Sequence, residues 1–452
     1  MIFANFLGSA RSSLFAIAIF GTALLFTPPP ATAQSQSTLC EQQKIECAVY
    51  VKIGNGTPVR AQSVVDMEFD QVNGLYPANN RITWSSTKGA LYTGSIALNA
   101  GIAGLVDGDF VASQIATGNA PKAVPPGDFG NGPEWTVPAG QGDGQKPSTI
   151  VYTVASQTTN GNITQYALAR AAFNGTAWRV GYEKPAAGDP NHYGPLGSAL
   201  TGTSAFISYL VCSADPGPSP SECNTSAQMR WRDITAGITG GTDQSLPCQI
   251  PWTRWVWLEP AVVCTNPSGQ LIHYNVSTAS TEVIRSSASA VVDSFGWPAP
   301  EYGRQLAVTA QNSSRTVVEI YQKLDTGWVA VPAANVSAAQ LQAAGSTIVG
   351  NLYLLSPEPF VYHNQSYLIA TASSTTNPGS LTAKTEIWVT KLALQAGAQA
   401  VYCKVSDSDT TTTAARRDPE VFVAGSDRLF IYYQIQAGKF GIYRSELPAA
   451  CQ

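Results

Sequence analysis

Three stretches of this chain repeat one pattern. An acidic residue beside a proline opens a short apolar strand, a turn follows, and an aromatic-rich strand answers it. The clearest copy runs Arg417-Asp418-Pro419-Glu420-Val421-Phe422-Val423, turns through Ala424-Gly425-Ser426-Asp427, and continues Arg428-Leu429-Phe430-Ile431-Tyr432-Tyr433. Glu358-Pro359-Phe360-Val361 leads through His363-Asn364-Gln365 to Tyr367-Leu368-Ile369-Ala370. Glu259-Pro260-Ala261-Val262-Val263 leads through Pro267-Ser268-Gly269 to Leu271-Ile272-His273-Tyr274. Units this small cannot bury their own apolar faces, so the copies must stack on one another.

The rest of the chain fits such stacking. Helical periodicity is nearly absent, and residues Ala333 to Ala344 are the best helical candidate. Runs of β-branched and aromatic residues, separated by Gly, Asn, Asp and Pro, recur around Arg81–Ile96, Pro133–Leu168, Gly194–Trp231 and Pro300–Tyr321. The spacing is roughly 40 to 65 residues, the range of propeller blades. With 44% apolar and only 12% charged residues, the chain can bury a large core. The expected fold is all-β, a single β-propeller of about five to seven blades over residues 34–452. The last group lacks a strand, and Ile45 to Val51 can supply it and close the ring.

Arg11, the apolar run Leu14–Phe26 and the small residues Ala31 and Ala33 read as a cleaved signal peptide over residues 1–33. The mature chain is expected to be secreted, or periplasmic in a Gram-negative cell, and monomeric. No other apolar run is long enough to span a bilayer. Eight cysteines, an even number, fit an oxidising compartment. Neighbour pairing gives Cys40–Cys47, Cys212–Cys223, Cys248–Cys264 and Cys403–Cys451 as the simplest scheme. No Cys-x-x-Cys and no paired histidines occur, so neither metal nor cofactor is expected. A net charge of −4 offers nothing to neutralise phosphates, which argues against nucleic acid as a partner.

In a propeller the inner strand of each blade starts near the axis. Glu259, Glu358 and Asp418 are therefore expected to project into one central pocket, with Glu134 and Glu301 beside them. Glycoside hydrolysis needs two such carboxyls, one protonated to assist the leaving group and one ionised to attack or to activate water. Crowding acids in one pocket raises the pKa of at least one. Arg417 and Arg304 suit holding a carboxylate or binding substrate hydroxyls. Trp255 and Trp257, beside Glu259, offer indole faces on which sugars stack, or blade-to-blade packing. His192, in a loop before a blade start, is the one histidine placed for a functional role. There is no Gly-x-Ser-x-Gly elbow for a serine nucleophile.

Glu358-Pro359-Phe360-Val361 and Asp418-Pro419-Glu420-Val421-Phe422 resemble the blade-start motifs of the five-bladed β-propeller glycoside hydrolases, family 43 and its relatives. Arg417-Asp418-Pro419 resembles the Arg-Asp-Pro signature of the related fructan-active propellers, and Asp293-Ser294-Phe295 is similar to their nucleophile motif. The resemblance implies that Glu358 is the general acid and Asp418 one of the working aspartates. In that family the acids run Asp, Asp, Glu along the chain, whereas here the best Glu precedes the best Asp. The expected partner is an oligo- or polysaccharide. The alternative is a propeller without catalysis, a lectin or a partner-binding protein.

Overall fold

The computed structural model describes residues 46–452 except 71–80, 99–100, 125–131, 140–147, 160–161, 187, 202–203, 213–227, 250–252, 287–290, 378–382, 408–414, 425–427 and 437–439. Seven antiparallel sheets follow one another along the chain. From the inside outwards, blade 1 holds Val64–Phe69, Arg81–Ser86, Leu91–Ile96 and Phe110–Gln114. Blade 2 holds Glu134–Ala139, Ser148–Thr159, Asn162–Phe173 and Trp178–Tyr182. Blade 3 holds Asn191–Gly197, Phe206–Cys212, Gln228–Asp233 and Gln244–Ser245, and blade 4 holds Arg254–Trp255, Ala261–Thr265, Leu271–Asn275 and Ser280–Arg285. Blade 5 holds Val291–Ala299, Gln305–Asn312, Val317–Leu324 and Gly327–Ala330. Blade 6 holds Tyr353–Tyr362, Gln365–Ser373, Thr385–Lys391 and Val401–Lys404. Blade 7 holds Arg416–Val423, Leu429–Ile435 and Gly441–Glu446, with Cys47–Ala48 as its outer strand. Each inner strand touches the inner strand of the next blade, and the seventh touches the first. The molecule is a seven-bladed β-propeller.

The ring closes as the strand count implied, by a shorter piece. Among the described residues, Cys47 and Ala48 pair with blade 7, against Arg444 and Tyr443, and the Val49 amide donates to the Ile442 carbonyl. Tyr50–Ile53 then passes to the outer edge of blade 1 and runs parallel to Phe110–Gln114. Beside this strap, Glu46 accepts from the Arg416 guanidinium and from the Asp407 amide. Arg416 in turn donates to the Thr385 carbonyl of blade 6.

The core lies between blades. Phe422, Phe430 and Tyr432 of blade 7 pack with Phe69, Trp84 and Phe110 of blade 1. Such rings bury roughly 150–250 Å² each, which is why the aromatic second strands dominate the repeat. Indole N–H groups stitch the seams. Trp135 of blade 2 donates to the Glu68 carbonyl of blade 1 at 3.1 Å, and Trp255 of blade 4 to the Leu196 carbonyl of blade 3 at 3.1 Å.

Several expected boundaries shift. Blade 1 begins at Val64, ahead of the Arg81 group, and blade 5 begins at Val291. Pro300–Tyr302 is a 3-10 turn after the first strand of blade 5. The helix is Ala338–Ala343, started by a capping box of Ser337 and Gln340, because Val336–Ser337 pairs with blade 5. Cys248–Cys264 and Cys403–Cys451 are bonded as expected. Cys47 and Cys212 are also disulfide-bonded. Cys40 and Cys223, their expected partners, lie outside the described residues.

Candidate active site at the axis

Five of the seven inner strands slip register against their second strand at the same level. The slips fall between Val65 and Glu68, Tyr193 and Leu196, Val291 and Ser294, Leu355 and Glu358, and Arg417 and Glu420. A bulge of this kind bends a strand and re-aims the side chains after it. In four of them one residue takes a left-handed backbone: Asp66 (φ 50°), Gly194 (φ 51°), Ser356 (φ 46°) and Asp418 (φ 55°). Glycine adopts it freely and aspartate tolerates it. Proline follows in three copies, Pro195, Pro357 and Pro419, at a position where the ladder needs no N–H. The next residue faces the axis: Glu68, Leu196, Glu358 and Glu420.

This geometry corrects the alignment of the repeat. Glu358 matches Glu420, and Asp418 matches Ser356, because the shared unit is Pro357-Glu358 with Pro419-Glu420. Glu259 belongs to neither set. It lies in the turn after the two-residue inner strand of blade 4, where Leu258 has φ 72°, and its carboxylate sits 3.3 Å from His273 Nε2.

At the axis lies a pocket of about 120 Å³ lined by Glu68, Glu134, Arg254, Glu358 and Glu420, with Phe69, Trp135, Trp255, Trp257 and Phe295 among its walls. Asp66 and Asp418 share a hydrogen bond beside it. Two carboxyls can share a bond only if one carries a proton, and burial, then Asp418, push Asp66 well above the usual range. The Asp66 Oδ2 also accepts from the Gly132 amide. Burial and then Glu134 and Glu420 push Glu68 well up, and burial and then Glu358 and Asp418 do the same to Glu420. Glu358 is pushed up to about 8, first by burial; Arg254 pulls it down, while Asp293, Asp418 and Glu134 oppose that pull.

Arg254 is the cation of the pocket lining. Its Nε lies 3.6 Å from Asp293, and its guanidinium stacks 4.9 Å from the Phe295 ring centre. Burial alone would push this guanidinium down, but Asp293, Glu358, Glu134 and Glu68 around it hold it charged. Asp293 accepts from the Ser294 amide, yet burial outweighs its partners and leaves it raised.

The candidate residues thus divide. Glu134, Glu358, Trp255 and Trp257 line the pocket. Asp418 meets it through Asp66, and Arg417 stands next to Asp418 with its guanidinium on Gln434. Trp255 and Trp257 part company: Trp255 packs toward blade 3, and Trp257 joins the core shared with blades 5 and 6. Glu301 is a clamp between blades, accepting from the Ser366 amide and hydroxyl, and the Trp297 indole donates to that same hydroxyl. His192 lies elsewhere, between blades 2 and 3, with Nδ1 2.9 Å from Glu183 and Nε2 3.9 Å from Asp243. Asp66, Glu68, Arg254 and Glu420 belong to the site without having been singled out. The usable signal was the spacing from left-handed residue to acid, two positions apart, in Asp66-Met67-Glu68, Ser356-Pro357-Glu358 and Asp418-Pro419-Glu420.

No family model matches this chain, and no curated protein does. Among solved structures it is similar to the Cps50 (Swd1) beta-propeller domain of Myceliophteria thermophila, at 10% identity and a TM-score of 0.45, over 86% of this chain and 99% of that one. It is similar to Trypanosoma rangeli sialidase at 10% identity and 0.39, over 70% of this chain, which spans about half (54%) of the sialidase chain. It is similar to the Bombyx mori GH32 beta-fructofuranosidase BmSUC1 at 10% identity and 0.33, over 72% of this chain and 61% of that one. Likeness at this level carries no argument about activity. Among the described residues, no helix is long and apolar enough to cross a membrane.

Proposed function

We propose that the chain is an exported carbohydrate-active propeller that hydrolyses a glycosidic bond at its axis, with residues 1–33 as its leader and 34–452 as its propeller. One observation carries this. Separate blades deliver carboxyls to one pocket, and burial there, with the neighbouring acids, pushes Glu358 up to about 8. Stacking like charges in a buried place destabilises a fold, so a purely structural reading explains it poorly. A glutamic acid still protonated at neutral pH is what a leaving-group oxygen needs. Glu358 is the general acid. Asp418, which meets the pocket beside Asp66, is the base or nucleophile. Arg254 fixes Asp293 and limits how far Glu358 rises. The pocket, about 120 Å³, is too small for several sugar rings, so it takes the end of an oligo- or polysaccharide.

Glu358→Gln and Asp418→Asn are each expected to lower hydrolysis of aryl glycosides about a thousandfold or more, with the thermal midpoint at or above that of the parent. Both substitutions keep shape, and asparagine tolerates the left-handed backbone at 418. If both variants stay active, the axial reading is wrong.

A lectin is favoured by one observation, a second cavity of about 530 Å³ between blades 2 and 3, lined by Glu183, His192, Arg230, Arg232 and Asp243. Glycan binding that Asp243→Asn abolishes, with no hydrolysis of any glycoside, decides for it.

A further inference from the structure

We infer that the ligand of the axial pocket carries a protonated amine, so that the sugar it accepts is an amino sugar with a free ammonium group. The inference rests on the hydrolase reading only for the sugar; the charge argument stands by itself.

Glu420 is 9% exposed, faces the pocket, and meets no hydrogen-bond donor and no cation among the described residues. Glu68 and Glu358 also lack a hydrogen-bond donor there. Each would gain from a donor brought in from outside, since a carboxyl in a half-enclosed pocket has lost part of its hydration. The lining supplies one cation, Arg254, and Asp293 already faces it. The charged groups around the pocket are Asp66 and Glu68 from blade 1, Glu134 from blade 2, Arg254 from blade 4 and Asp293 from blade 5. Arg315 stands beyond Asp293, Glu358 comes from blade 6, and Asp418 and Glu420 come from blade 7. Acids outnumber bases throughout. Among the described residues no three carboxylates converge closely enough to hold a metal ion. The deficit suits a cation that brings several N–H donors of its own, as an ammonium group does. Trp255 presents an aromatic wall, the kind of surface on which an ammonium group is well received, while the Trp135 ring already carries the Arg81 guanidinium. A pocket of about 120 Å³ has room for that group and part of one ring.

An ammonium ion among these carboxyls favours their ionised forms. Acids that hold protons in the empty pocket must release them when the cation arrives.

The test is calorimetry on the intact protein with D-glucosamine, N-acetyl-D-glucosamine and D-glucose, none of which has a bond to cleave. D-glucosamine is expected to bind roughly tenfold or more tightly than the other two. Its binding heat should vary with the ionisation heat of the buffer, reporting proton release. Glu420→Gln should weaken glucosamine by about tenfold with an unchanged or higher thermal midpoint, and Glu68→Gln serves if that variant does not fold. Glu259→Gln, outside the pocket, should bind as the parent does. Equal affinity for the acetylated sugar, no proton release, or unaltered binding by both pocket variants overturns the inference. Hydrolysis of neutral glycosides without glucosamine preference overturns this inference alone. Glucosamine binding without hydrolysis of any glycoside overturns the hydrolase reading alone.

Discussion

Ser356 holds a left-handed backbone at the same point of its blade where Gly194 does so without a side chain. For a residue with a Cβ that conformation costs roughly 1–2 kcal/mol. Gly194→Ala is therefore expected to destabilise by about 1 kcal/mol in denaturant titration, while Ser356→Gly should be neutral or slightly stabilising. Activity has its own residue-scale signature. A general acid works only while protonated, so kcat/KM should fall as pH rises through about 8, the value for Glu358. An activity that holds level to pH 10 removes Glu358 from that role. Glu358 was legible in the sequence because an acid at a strand start is a simple pattern. Its partner was not, because prolines flank it on both sides: Pro359 made it look like Asp418-Pro419, whereas Pro357 aligns it with Glu420. Only the bulge decides between those registers, and a bulge is a pairing defect that no single strand records. Asp66 and Glu68 were hidden because their copy has Met67 where the others have proline.

At the scale of elements, the seams matter more than the strands. The runs of β-branched and aromatic residues between turn residues made the blades visible, and the aromatic second strands announced how they stack. The inner strand of blade 4 escaped notice because it is two residues long, so the acid in its following turn, Glu259, was mistaken for a blade start. The strap at Cys47–Ala48 is equally short, and Glu46 and Arg416 reinforce it from a buried position. Burial pushes the Glu46 carboxyl up and Arg416 pulls it back, without full compensation. Removing one member strands the other. Glu46→Ala should cost about 3 kcal/mol or more, and replacing both Glu46 and Arg416 by Leu should cost less than that single change. Thermal melting of the three proteins checks it; a double variant worse than the single one refutes the pairing.

The whole molecule carries the axial crowding as a pH dependence. Asp66, Glu68, Asp293, Glu358 and Glu420 all have folded-state values above their unfolded ones. The folded state then binds more protons than the unfolded state, so stability falls as pH rises. The contribution is fully present below the ordinary carboxylate range near 4.5 and fades upwards through about 8 for Glu358. Glu183, Asp243 and Glu386 are held low by their partners and act oppositely, losing their contribution as pH drops through the acid range. Melting should therefore peak in mildly acidic buffer and decline by several degrees towards pH 8; a peak above neutrality contradicts the crowded axis. The strap has a temporal consequence as well. Cys47 and Arg444 stand at opposite ends of the described chain, so the piece that leaves the ribosome early must wait for nearly the whole protein before it can pair. Loop closure over that span is slow and comes last. Until then the outer edge of blade 7 is an open template, and the nascent molecule is most exposed to pairing with a neighbour at that edge.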